Sequence, residues 1–168
     1  MIQWMFFPKS AEAPPHALAV VNAFQIVSDE IDSGTKDLPS NEVLALAASH
    51  LTKAGFAVES GKKTEQKINV PVLFGLNGRL EKSFDADAYH QESGFVVEVE
   101  AGRGVVNNQF LKDMFQACMM HNVHYLAIVV RNKYEGSRDF ETVCRFRDTL
   151  YASQRLQLPL HGILIVGY

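Results

Sequence analysis

Apolar residues recur at steps of three and four through Ala17, Val20, Val21, Phe24, Val27 and Ile31, the period of a helix with one face against a core. This pattern predicts a first helix ending near Ser33-Gly34. Ser40 is a good cap for a second helix, in which Val43, Leu44, Ala47 and Leu51 supply the stripe and Gly55 the stop. A short strand follows over 56–59, then a polar loop over 60–67. The run INVPVLFG comes next, where Pro71 argues for an edge position or a bulge, and Leu76-Asn77-Gly78 signals a turn. Val106, Phe110, Met114, Phe115 and Cys118 predict a third helix with a broad apolar face. Tyr125 to Val130 is an apolar run short enough for an interior strand. Phe140, Val143, Cys144, Arg147, Leu150 and Tyr151 mark a fourth helix, and 162–168 a closing strand.

Between Phe84 and Gly102 the chain reads FDADAYHQESGFVVEVEAG, two alternating runs joined by a polar turn. Side chains two apart on a strand share a face. Asp85 and Asp87 therefore point one way, and Glu98 and Glu100 point together, with Val97 and Val99 opposite. A hairpin closed by two or four residues around 91–94 sets Asp87 against Glu98 and Asp85 against Glu100. A loop closed at Ser93-Gly94 pairs Asp87 with Glu100 instead. In either register, opposed carboxylates lie roughly 5 Å apart at Cβ and repel one another. They need a cation, a shared proton or a wide splay, unless the strands simply present a wet face. Hard divalent ions with oxygen ligands are one physical answer.

The element order is helix, helix, strand meander, helix, strand, helix, strand, and short crossovers after the meander favour parallel pairing. It predicts an α/β fold in one domain over 1–168, a central mixed sheet of antiparallel meander plus parallel strands flanked by helices. Residues 1–39 read as an N-terminal helical extension to a core over 40–168. With 47% hydrophobic and 21% charged residues the chain has ordinary globular composition. A net charge of -3 gives no global pull on nucleic acid, which counts against a nonspecific DNA-coating protein but not against an enzyme with a local basic patch. Cys118 and Cys144 lie in helical patterns without metal-type spacing and read as reduced thiols. MIQWMFFP lacks a basic start and is cut short by Pro8, so it fits neither a signal peptide nor a membrane span. A soluble cytoplasmic protein with no membrane partner is the expectation.

The order of elements and the placement of the acids together resemble the PD-(D/E)XK superfamily, the fold of restriction endonucleases and many repair nucleases. The resemblance covers roughly 40–130. It implies a restriction endonuclease-like fold and an ExE variant of the family's ExK motif. Asp85 or Asp87 matches the first motif acid on the second meander strand, Glu98 matches the second, and Glu100 stands where the lysine usually is. The helix 107–120 matches the crossover helix. Glu42 matches an outer metal-site acid that some members add, and it is equally a favourable acid for a first helical turn. Lys112, or Lys82, is a candidate for a migrated lysine. The resemblance implies magnesium, or manganese, held by Asp87, Glu98, Glu100 and Asp85, and DNA as substrate. A homodimer is one assembly open to such a fold. The rival is a catalytically inactive member serving as a partner-binding or dimerisation module.

Other residues weigh less. Gly102-Arg103-Gly104 reads as a strand-to-helix turn. Arg131, Lys133, Arg138, Arg145 and Arg147 are interleaved with Glu135, Asp139 and Glu141 and suggest a solvated face. Lys62, Lys63 and Lys67 are less balanced by acids and make a better candidate for contact with a nucleic-acid backbone. His90, His121 and His124 show no zinc-type spacing. No P-loop, GxSxG or GxGxxG occurs.

Overall fold

The apolar run Tyr125–Val130 lies inside a six-stranded sheet in the computed structural model, which describes residues 1–102, 105 and 107–168. The strands are β1 (Gln3–Phe7), β2 (Ala57–Val58), β3 (Ile68–Phe74), β4 (Leu80–Ala86), β5 (Ala88–His90), β6 (Phe95–Glu100), β7 (Tyr125–Val130) and β8 (Gly162–Gly167). The helices are α1 (Pro15–Ile26), α2 (Ser28–Ile31), α3 (Ser40–Lys53), α4 (Gln109–Met119) and α5 (Asp139–Ser153). The main sheet runs β1-β8-β7-β6-β5-β2, parallel through β6, β7 and β8 and antiparallel elsewhere. β3 and β4 form a separate two-stranded arm.

Alternation builds two cores from one sheet. Phe95, Val97 and Val99 of β6 join Ala127, Val129, Leu164 and Val166 beneath α1 and α3. Val96, Leu126, Ile128, Ile163 and Ile165 point the other way and meet α4 and α5 through Phe110, Met114, Phe140 and Val143. The parallel strands are apolar on both faces because both are covered. Glu98 and Glu100 follow Val96 in the same alternation, so they emerge at the end of β6 on the α4 side.

The structure corrects some of the expectations drawn from sequence and bears out or bounds others. MIQWMFFP is an edge strand: Gln3 to Phe7 pair with Gly167 to Ile163, and Phe7 is fully buried in the α4/α5 core. The segment 1–39 therefore contributes to the main sheet as well as carrying helices. The first helix breaks at Val27, whose φ of -100° and ψ of 13° leave Ser28–Ile31 as a separate turn. Pro71 sits both on an edge and at a register shift, since β3 lies in a two-stranded arm. The third helix begins at Gln109; Val106 and the Arg103-Gly104 part of the expected turn lie outside the described residues.

The largest correction concerns the acidic hairpin. Its loop over 91–94 is a four-residue connection, and Gly94 at φ +63° has no room for a side chain, since a Cβ would lie 2.2 Å from the Asn122 carbonyl oxygen. Ala88, Tyr89 and His90 face Val97, Val96 and Phe95. The first acidic run is not one strand, however. It bends at Asp87, so that β4 pairs with β3 and only β5 pairs with β6. Asp85 thus lies opposite Asn69, not Glu100.

Candidate functional site

The bend at Asp87 is held by its own atoms. Its backbone carbonyl accepts the Glu59 N–H at 2.8 Å, and its carboxylate Oδ2 accepts the Val99 N–H at 2.7 Å. A side chain thus takes the ladder position that a strand carbonyl would fill, and the chain turns away to enter the arm. The result is a cleft of about 480 Å³ between the end of β6, the base of the arm and α4.

Asp87, Glu98, Glu100, Asp85 and Lys112 all line this cleft, and Asp113 and Glu59 join them. Asp113 is 4% exposed on the sheet-facing side of α4. Its position was legible, because 113 falls on the stripe formed by Phe110, Met114 and Ala117, where a carboxylate is out of place. Glu59 carries no such signal. Glu42 is exposed in the first turn of α3 and is not among the residues lining the cleft, although Ser40 of the same helix is. Asp85 stands at the rim with its side chain 47% exposed, 2.6 Å from Lys67 Nζ. Lys67 also reaches Glu59 at 3.8 Å. Of the three loop lysines, Lys67 lines the cleft, while Lys62 and Lys63 are exposed outside it. Lys82 lines the cleft as well and lies 5.2 Å from the Phe84 ring centroid.

Crowding of like charges away from water governs the electrostatics. Burial pushes Asp87 up to about 6, against the lowering effect of the Val99 N–H, with Glu59 and Asp113 adding to the rise. Burial raises Glu98 well above the usual carboxylate range, reinforced by Asp87, Asp113 and Glu100 and opposed by Lys112. Glu98 keeps some surface on the cleft side, yet its neighbours there are mostly acids. Burial pushes Glu100 up to about 8, with the neighbouring Asp113 adding to the rise, and burial raises Asp113 as well. Asp113 Oδ2 is buried without a hydrogen-bond partner among the described residues. Counting side chains, the cleft holds six carboxyls (Glu59, Asp85, Asp87, Glu98, Glu100, Asp113) against three lysines (Lys67, Lys82, Lys112).

Among the described residues, no group of three or more His, Cys, Asp or Glu side chains could hold a metal ion by itself. The histidines serve elsewhere: His90 is buried against His16 and Phe56 and bonds Ser93, while His121 and His124 are exposed. Arg131 is not on a solvated face. It is buried at the end of β7, paired with Asp37 at 2.5 Å and with the Leu38 carbonyl at 2.7 Å. No helix among the described residues is long and apolar enough to cross a membrane.

No family model matches this chain, and no curated protein matches it. Among solved structures, it is similar to the restriction endonuclease BglII in its free form, with a TM-score of 0.51 at 11% identity, over 99% of this chain and 78% of that one. The likeness is one of fold: an α/β domain with a mixed sheet flanked by helices, restriction endonuclease-like.

Proposed function

We propose that the protein is a divalent-metal-dependent nuclease that hydrolyses phosphodiester bonds of DNA, with Asp87, Glu98 and Glu100 at its centre. The charge of the cleft carries this reading. Once ionised, six carboxyls against three lysines repel one another and a phosphodiester, and a cation that joins them offsets both. The donors are hard oxygens, which suit magnesium or manganese. Magnesium commonly takes only one or two carboxylates and completes its shell with water and substrate phosphate, so a ready-made protein cage is not required. The unpartnered Asp113 Oδ2 is one more buried oxygen that a cation or its water would satisfy. The likeness in fold to a restriction endonuclease supports the reading.

A bound divalent ion lowers the pKa of the water it holds and offsets charge on the attacking and leaving oxygens. Asp87 and Glu98 would hold it, Asp87 through Oδ1 because Oδ2 is occupied by the Val99 N–H. Glu100, in contact with Asp113, would accept the proton of the attacking water. Lys112, exposed on the lip, would meet the charge of the phosphate, and Asp85, held by Lys67, would stand as a further ligand.

A second reading, an inactive member of the fold acting as a partner-binding or dimerisation module, draws on the tip of the arm. There Leu73, Phe74, Leu76 and Leu80 are all more than half exposed. Calorimetric titration of the metal-free protein with Mn²⁺ and Mg²⁺ separates the two. The nuclease reading expects saturable binding, weakened about tenfold or more in Glu98→Gln. A wild-type titration without heat, or an unchanged isotherm in the variant, favours the module.

A further inference from the structure

Beside the acidic cleft lies a second groove of about 780 Å³, within the range of small-molecule sites, and Lys67 lines both. One wall is β3 of the arm and the other is the 121–122 loop together with the turn after β5. The walls are tied across the groove, because the His121 N–H donates to the Pro71 carbonyl at 2.7 Å and the His121 ring meets Phe74 edge-on at 5.3 Å. The groove is therefore built into the fold.

Its chemistry differs from that of the cleft. Asn69, Gln91 and Asn122 bring three primary amides to it beside the half-buried ring of Tyr89. Asn69 Oδ1 accepts the Ser83 hydroxyl at 3.2 Å, which leaves its NH₂ group available. The Gln91 and Asn122 amides make no side-chain hydrogen bond to the protein among the described residues, and both are exposed. Among the described residues that line it, the acid and lysine side chains are Lys67, already bonded to Asp85 at the cleft end, and Glu92 at the other. An acid there disfavours a phosphate at that end, whereas a neutral heterocycle is unaffected. An amide offers a donor and an acceptor side by side, the pattern that pairs with adenine N6 and N7, while guanine wants two donors such as an arginine. Tyr89 adds an aromatic ring of the kind on which bases stack.

We propose that this groove binds a nucleobase, adenine in preference to guanine, of a nucleotide adjoining the bond cut in the cleft, with Asn69, Gln91 and Asn122 reading its edge and its phosphate lying toward Lys67. The inference rests on the nuclease reading for its context but not for its test. With chelator present, the protein is titrated with AMP, dAMP, GMP and ribose 5-phosphate while side-chain amide resonances are followed by NMR. The groove predicts that AMP or dAMP binds about tenfold more tightly than GMP and ribose 5-phosphate, with shifts at Gln91 and Asn122. The ribo and deoxy arms tell an RNA from a DNA strand. Gln91→Ala with Asn122→Gly, glycine being suited to the φ of +57° at that position, should remove the preference. Asn69→Ala, at an exposed strand position, is the second variant and should weaken it. Equal binding of all four compounds, or a preference that survives in both variants, overturns the proposal. A preference in a protein that leaves DNA intact sinks the nuclease reading alone, and DNA cleavage without any preference sinks the groove alone.

Discussion

At Asp87 and Glu100 the protein holds carboxyls where water solvates them poorly, and the proton is the first thing to compensate. Asp87 is raised to about 6 and Glu100 to about 8, both chiefly by burial. The folded state thus binds these protons more tightly than the unfolded chain, whose carboxylates titrate near 4. Their contribution to stability is complete below about pH 4 and is lost as pH rises through about 6 and then about 8. Metal-free protein should therefore lose up to about 5 kcal/mol between about pH 5 and pH 9, read from urea midpoints in chelator. Magnesium should stabilise most at the alkaline end, where it replaces the missing protons. A flat pH profile, or a magnesium effect that is largest at acid pH, contradicts this account of the two acids.

Among the elements, the edge strand β1 makes the clearest test of what holds the sheet together. Phe7 is completely buried between β8 and α5, and the Arg147 guanidinium lies 5.7 Å from its ring centroid. Phe7→Ala should cost about 3–5 kcal/mol in urea unfolding, whereas a detachable N-terminal extension would lose little. The strand escaped the sequence pattern because WMFF is too short and too uniformly apolar to show a period of two. α3, α4, β7 and β8 were legible because each carries a full helical stripe or a closed apolar run of strand length. At the site, Glu98 and Glu100 were legible as alternating residues of β6, and Asp87 as the acid facing them. Asp85 was misplaced because strand alternation assumes a straight strand, and the bend at Asp87 depends on its side chain bonding Val99, twelve residues further on in a different strand. The break at Val27 is likewise invisible to periodicity, since Ile31 stays on the apolar stripe and is buried after the turn. Asp113 required reading a polar residue on an apolar face as a signal.

For the molecule as a whole, net charge and site charge point the same way. A chain of net charge -3 with an acid-rich cleft has little intrinsic attraction for nucleic acid, so the proposed nuclease reading requires a cation to accompany the substrate. The arm β3–β4 forms one wall of the cleft and of the adjoining groove, and the end of β6 with α4 forms the floor and the far side. The fold thus supplies a site open on one side and lined with hard oxygen donors. The most direct test is incubation of supercoiled plasmid with the protein in magnesium or manganese. Wild-type protein should nick or linearise it in metal and not in chelator, and Asp87→Asn and Glu98→Gln should each slow the reaction about a hundredfold or more, roughly 2.7 kcal/mol of barrier. Plasmid left supercoiled in both metals, or variants that cut as fast as wild type, would contradict the account.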